Sequence, residues 1–339
     1  MMARGVVKIG IVGMGHVGPH AASFLIQRGS VDELFLADVA ENEAKVRAEA
    51  FDLFDSSVFA PRHVLVHNVH DDYEQLAQCD VIINAAGHVK MSAESRDGEL
   101  FATIASARTF VGRIAAAGFE GFWVDVSNPN DVLTREIHRL SGLPAGHVMG
   151  TGTLLDSARL RTVLSRATGL STHSIDAYML GEHGFTEIAA WSQISFSGKP
   201  LGELAVEQPD TFKLDHETVE KDAKMGGYYV YEGKQCTEYA IGASAGRLAE
   251  AIIHNEHVVL PASVHLDGQY GQSGFYISTP AVIGGKGVED VFQLNLTAEE
   301  QAGFVHSCET VQANYDKLPE FSVEASRQNP AVPPEAPAE

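Results

Sequence analysis

Short apolar runs alternate with amphipathic segments through the first half of the chain. VVKIGIVG reads as a buried strand, residues 19–28 as a helix and LFLADV as a second strand. AENEAKVRAEAFDLF carries helical spacing, and DVIINAAG returns to a strand. Phe101, Ile104, Ala105, Val111, Ile114 and Ala115 then mark one face of a further helix. FWVDVSNP is another strand, stopped by Pro129. Strands in alternation with helices predict an α/β fold with a parallel, doubly wound sheet of the Rossmann kind.

The pattern changes near Gly150. GTGTLLDSARLRTVLSRATGL predicts a helix with Leu160, Val163, Leu164 and Ala167 on one face and Gly169 as its C-cap. THSIDAYMLGEHG and AAWSQISFSG alternate like strands, and two helices follow around residues 215–226 and 237–257. Gly242, Ala245, Gly246 and Ala249 gather on one face of the second, which suggests close approach to another backbone, such as a second subunit's. Further strands and a last helix complete a mixed α+β second domain. The expected layout is residues 1–149 for the sheet domain and 150–323 for the mixed one. Residues 324–339 lack an apolar face, are rich in Pro and Ala, and are expected to be a disordered tail.

Composition narrows the partners. A net charge of −21 argues against nucleic acid, because phosphate binding needs a basic surface. No apolar run reaches the ~18 residues needed to span a bilayer. Cys79, Cys236 and Cys308 are scattered and odd in number, which fits neither a disulfide framework nor metal-ligand spacing and suggests a reducing cytoplasm.

The first strand runs into Gly13-x-Gly15-x-x-Gly18, followed by a helix. Those glycines permit a tight turn and close backbone approach, and a helix N-terminus favours an anionic pyrophosphate. Asp38 ends the next strand twenty residues after Gly18, placed to accept from both ribose hydroxyls and repel a 2′-phosphate. No arginine follows it in DVAENEAK, so the expected cofactor is NAD rather than NADP.

Further on, each candidate side chain has an ordinary explanation when taken alone. Asp156 could form a helix-start cap with Thr153, and Arg159 could simply pair with Asp156 one turn away. His183 could be a solvated turn histidine, Asn128 a turn starter and Arg96 a loop cation. Together and in order, however, SNPND, GTGTLLDSAR and GEHG resemble the signatures of the L-lactate and L-malate dehydrogenase family. ESR at residues 94–96 and TEYAIG at 237–242 fit the same family, and the resemblance runs from residue 8 to about 318. GTGTLLDSAR, LGEHG and the loop GHVKM are most similar to the L-2-hydroxyisocaproate dehydrogenase branch.

The resemblance implies an NAD-dependent L-2-hydroxyacid dehydrogenase that reversibly reduces 2-oxo acids. His183 would exchange the proton, Asp156 would orient it, and Arg96 would polarise the carbonyl as its loop closes. Arg159 would grip the substrate carboxylate with its planar fork. Asn128, with a cis bond to Pro129, would orient substrate and border the cofactor, as would Gly87. Thr237 and Ile241 would line the pocket. Met91 occupies the position where malate dehydrogenases carry an arginine and lactate dehydrogenases usually a glutamine. An apolar thioether there favours a medium-sized hydrophobic acid such as 2-oxoisocaproate. Lys90 beside it, and Phe185 where an aspartate usually follows GEHG, leave ordinary lactate or malate dehydrogenase as alternatives. An NAD-dependent glycosidase would need metal ligands in place of this set, and no metal is expected. A catalytically silent NAD-binding protein would be expected to lack part of the set. The family also implies a homodimer or homotetramer.

Overall fold

The computed structural model describes residues 5–87 and 96–328. Its first half is a six-stranded parallel sheet built from β1 (Lys8–Val12), β2 (Glu33–Ala37), β3 (Leu65–His70), β4 (Val81–Asn84), β5 (Phe122–Asp125) and β6 (Val148–Gly150). The strands lie in the order β3-β2-β1-β4-β5-β6, with the chain reversing direction of travel at β1. Ile9 pairs with Leu34 on one side and Val81 on the other, and Ile9, Ile11, Val81, Ile82 and Ile83 are buried. Continuous apolar runs in β1 and β4 reflect helices covering both faces of a parallel sheet. β3 was not apparent from the pattern, because it is an edge strand in which only Val69 is fully buried.

The helices α1 (Val17–Arg28), α2 (Glu43–Ser57), α3 (Arg96–Ala116) and α4 (Asn130–Ser141) connect these strands. α5 (Leu154–Thr168) ends on Gly169 in the left-handed region, as expected of a glycine C-cap. Leu160 and Leu164 of its expected apolar face are buried, whereas Ala167 is exposed. Short strands β7 (Ile175–Asp176), β8 (Met179–Leu180), β9 (Ile188–Ala189), β10 (Ser195–Phe196) and β11 (Lys199–Pro200) follow, with helices α6 (Leu201–Glu207) and α7 (Pro209–Phe212).

Helix α8 (His216–Lys234) runs eight residues beyond the stop expected at Gly226. Helix α9 (Tyr239–Ile253) holds the small-residue face, and here the expectation of a second subunit is corrected. A Cβ on Gly242 would come within 2.9 Å of the Ala21 nitrogen, and one on Gly246 within 2.3 Å of the Phe24 ring. The close neighbour is therefore α1 of the same chain.

The long hairpin β12 (Val258–Asp267) and β13 (Ser273–Gly284), with β14 (Gly287–Val291), joins the sheet antiparallel through a pairing of Ser263 with Gly150. Both halves thus share one nine-stranded sheet. After α10 (Ala298–Asp316), the expected disorder is also corrected at its start. Residues 323–328 form helix α11 (Val323–Gln328), which packs on α3 and buries Ser326, while residues 329–339 lie outside the described residues. Among the described residues no helix is long and apolar enough to cross a membrane.

Candidate active site

At the C-terminal edge of the parallel strands, the glycine loop is shaped by close contacts. Gly13 has φ +94°, and a Cβ there would lie 2.6 Å from the Ala85–Ala86 peptide. A Cβ on Gly18 would lie 2.1 Å from the Gly13 carbonyl oxygen, so α1 packs tightly against the turn. Gly15, by contrast, has open space where its Cβ would be. Two glycines make the turn and the third leaves room for a phosphate at the start of α1, the division of roles expected of a dinucleotide loop. Asp38 is buried at the end of β2 and accepts from the Met14 N–H at 2.6 Å, the Val39 N–H at 2.7 Å and Asn42 Nδ2 at 3.0 Å. Three donors hold its carboxylate in place, and two oxygens offer about four acceptor positions, so a ribose hydroxyl can still be received. The residues fit an NAD-type dinucleotide.

Gly87 and Asn128 are both exposed at the ends of neighbouring strands, and the Asn128–Pro129 peptide is cis. Thr237 and Ile241 are half-buried at the start of α9. Glu238 between them reaches His16 of the glycine loop at 2.8 Å, which brings this end of α9 to the dinucleotide side. Met91 and Lys90 lie outside the described residues. Arg96 is described only as the first residue of α3.

His183, Asp156 and Arg159 do come together. His183 Nδ1 is 2.7 Å from Asp156 Oδ2, and Arg159 Nη1 donates to Asp156 Oδ1 at 3.0 Å. One buried carboxylate thus holds the imidazole by one oxygen and the guanidinium by the other. With Nδ1 donating to Asp156, Nε2 is left for a reacting group. Twenty-seven residues separate the two partners, and local contacts explain their alignment. Thr153 Oγ1 donates to the Met179 carbonyl at 2.6 Å, and the Met179 N–H donates to Ser157 Oγ at 2.8 Å. The first turn of α5 is thereby fastened to β8, which leads into GEHG. Thr153 performs that task rather than capping its helix with Asp156.

Sequence reasoning missed two acids here. Asp131, inside the SNPND motif, accepts the His183 backbone N–H at 2.9 Å and the Ser263 hydroxyl at 2.6 Å. It orients the main chain of the histidine, and burial pushes its carboxyl up to about 6. Glu187, four residues after His183, is buried beside the pair. One ligand-type atom from each of Asp156, His183 and Glu187 lies within 4.8 Å of the others, although no metal-like spacing was visible in the sequence. Arg159, already bonded to Asp156, makes the setting suited to an anion rather than to a metal cation.

Electrostatics favour an ionised pair. Burial works against charge on both partners. On Asp156 the His183 charge and hydrogen bond, then Arg159, outweigh burial and hold the carboxyl below the usual range. On His183 the Asp156 carboxylate and its hydrogen bond, helped by Glu187 and Asp131, push the imidazole up to about 9. The group can therefore hold a proton at Nε2 near neutrality, beside a guanidinium able to receive a carboxylate.

Residues 7–150 match the family model described as lactate/malate dehydrogenase, NAD binding domain. Residues 153–322 match lactate/malate dehydrogenase, alpha/beta C-terminal domain. An L-lactate dehydrogenase of Fusobacterium nucleatum is 40% identical over 302 residues, covering 89% of this chain and 93% of that protein. L-lactate dehydrogenase 3 of Bacillus cereus is 38% identical over 308 residues, covering 90% and 96%. The crystal structure of a minor L-lactate dehydrogenase from Enterococcus mundtii, with ligands bound, superposes with a TM-score of 0.87 at 33% identity, covering 93% of this chain and 99% of that one.

Proposed function

The chain belongs to the lactate/malate dehydrogenase family, and we propose that it interconverts pyruvate and L-lactate. It is an NAD-dependent 2-hydroxyacid oxidoreductase. The observation that carries the proposed chemistry is Asp156 held between His183 and Arg159. Bound NADH supplies the hydride. Arg159 receives the substrate carboxylate on its fork, which fixes where the carbonyl lies. His183 delivers its Nε2 proton to the carbonyl oxygen during reduction and takes it back during oxidation. Asp156 stabilises the imidazolium and holds the tautomer. Arg96, at the start of α3, polarises the carbonyl. Asn128, Thr237 and Ile241 line the cleft, with Gly13, Gly15, Gly18, Asp38 and Gly87 on the cofactor.

The relatives' names favour this small substrate over the medium-sized hydrophobic acid expected from Met91. The apolar Met91 of the sequence leaves the larger acid as a second reading, and the structure adds how Arg159 is seated. Gly226 and Gly227 lie inside α8, where each costs ~1 kcal/mol relative to alanine. A Cβ on Gly227 would stand 3.3 Å from Arg159 Nη1, so the pair lets α8 lie close against that guanidinium. NADH oxidation with pyruvate, oxaloacetate and 2-oxoisocaproate decides between them. Pyruvate should give the highest kcat/KM. A tenfold lead for 2-oxoisocaproate would instead establish the larger acid, with Met91 as its determinant.

A homodimer or homotetramer is part of the same proposal. Phe51, Phe54, Val58 and Phe59 leave a large apolar patch exposed on and just after α2, of a kind that marks protein contacts. The three cysteines are buried and free, which suits a reducing cytoplasm.

A further inference from the structure

Glu187 has no part in the chemistry above, yet it faces the same space. The residue is 6% exposed, and its Oε2 is buried without a hydrogen-bond partner among the described residues. The Asp156 carboxylate and the His183 ring each have an atom within 4.8 Å of a Glu187 carboxyl oxygen. A buried carboxylate with no donor is costly, and a second negative charge at this range adds to that cost. The charged groups around it are Asp156 and Arg159 from α5, His183 from its own loop and Lys224 from α8. Its cationic neighbours are engaged elsewhere, the His183 imidazolium with Asp156. Arg159 is bonded to Asp156, and Lys224 Nζ donates to the Glu187 main-chain oxygen at 3.2 Å. Burial first, and then the Asp156 charge, push the Glu187 carboxyl up to about 8. At neutrality the side chain is a protonated acid, with a donor and no acceptor.

We propose that Glu187 is a further substrate-site residue: as the neutral acid it donates to the oxo-acid carboxylate held by Arg159, and as the carboxylate it repels that anion. The role rests on the dehydrogenase reading above. Substrate affinity then depends on two protons, one on His183 and one on Glu187, and each binding event favours the protonated form of both.

The experiment compares kcat/KM for 2-oxo-acid reduction by the wild type and Glu187→Gln from pH 6.5 to 9.5, at saturating NADH. The amide is a weaker donor to an anion, so the variant should be less efficient at pH 6.5. It has no proton to lose, so the ratio of variant to wild type should rise by about tenfold across that range. A constant ratio would overturn the proposal. A falling ratio would overturn it too, and would make Glu187 an anion that supports the imidazolium.

Thermal melting gives a second reading that needs no turnover. The folded chain keeps a proton that the unfolded chain releases above the ordinary value of 4.5, and keeps it up to about 8. Wild-type stability is therefore lost progressively as pH rises between those values, and Glu187→Gln escapes the loss. Its Tm gain over wild type should be larger at pH 8.5 than at pH 5. Equal gains would overturn the neutral acid. A wild type that reduces no 2-oxo acid would overturn the dehydrogenase reading and the substrate role with it, while the melting comparison still judges the proton.

Discussion

The two ends of the cleft are built in opposite ways. The dinucleotide end is made of main chain: a turn too tight for Cβ atoms, an open Gly15, a helix N-terminus and one carboxylate held by adjacent donors. The proposed proton-transfer end is made of side chains carried by distant elements: Asp131 holds the His183 main chain, Asp156 holds its ring and Arg159, and Glu187 lies beside them with Lys224 near. Backbone recognition depends on shape and should respond to steric change. Clustered buried charge depends on protonation and should respond to pH and to the loss of any one partner.

Three variants separate these behaviours. Replacing His183 with alanine should have the largest effect, lowering kcat/KM for 2-oxo-acid reduction by ~10²–10⁴ while NADH affinity, followed by fluorescence titration, is retained. An unchanged rate would remove His183 from the chemistry and revive the silent NAD-binding alternative. Gly18→Ala tests the other end, since its Cβ would meet the Gly13 carbonyl at 2.1 Å. It should cost ~1–3 kcal/mol of stability and weaken NADH binding, measured by calorimetry and titration. Full NADH affinity in this variant would mean that the turn is not the phosphate site. Asp156→Asn should have the subtlest signature, in the pH profile. His183 is pushed up to about 9, so the imidazolium that reduction requires is present below that pH and lost above it. Without the carboxylate, the alkaline decline should move to lower pH, in addition to the fall in rate. A profile that keeps its position would show that Asp156 does not set the histidine's protonation.

Much of the first half was legible because its signals are local. Apolar runs of four or five residues, a Gly-x-Gly-x-x-Gly between strand and helix, and an acid twenty residues on all lie within one βαβ unit. The misreadings arose where meaning depended on a neighbour. Gly242 and Gly246 announce a close approach without saying to what, and the answer is α1 of the same chain. Gly226 looks like a helix stop until Arg159 is found beside it. The segment from residue 323 has too little apolar character to predict a helix alone, and it is ordered by packing on α3.

By itself, the sequence determined the alternation of strands and helices, the dinucleotide loop with its acid, and the identity of His183, Asp156 and Arg159 as an ordered set. The first two are encoded by residue type and spacing along the chain, and the third rests on the resemblance of SNPND, GTGTLLDSAR and GEHG to the family's signatures. Only the tertiary structure decided that one carboxylate serves both the histidine and the arginine, that Asp131 holds the histidine's main chain, and that Glu187 Oε2 is buried without a donor among the described residues. Burial and partnership are properties of what surrounds a side chain, and they change its charge without any change in its covalent chemistry. A glutamate four residues from a histidine is an ordinary surface residue in most settings. Enclosed beside Asp156, with Arg159 and Lys224 engaged elsewhere, it becomes an acid that keeps its proton.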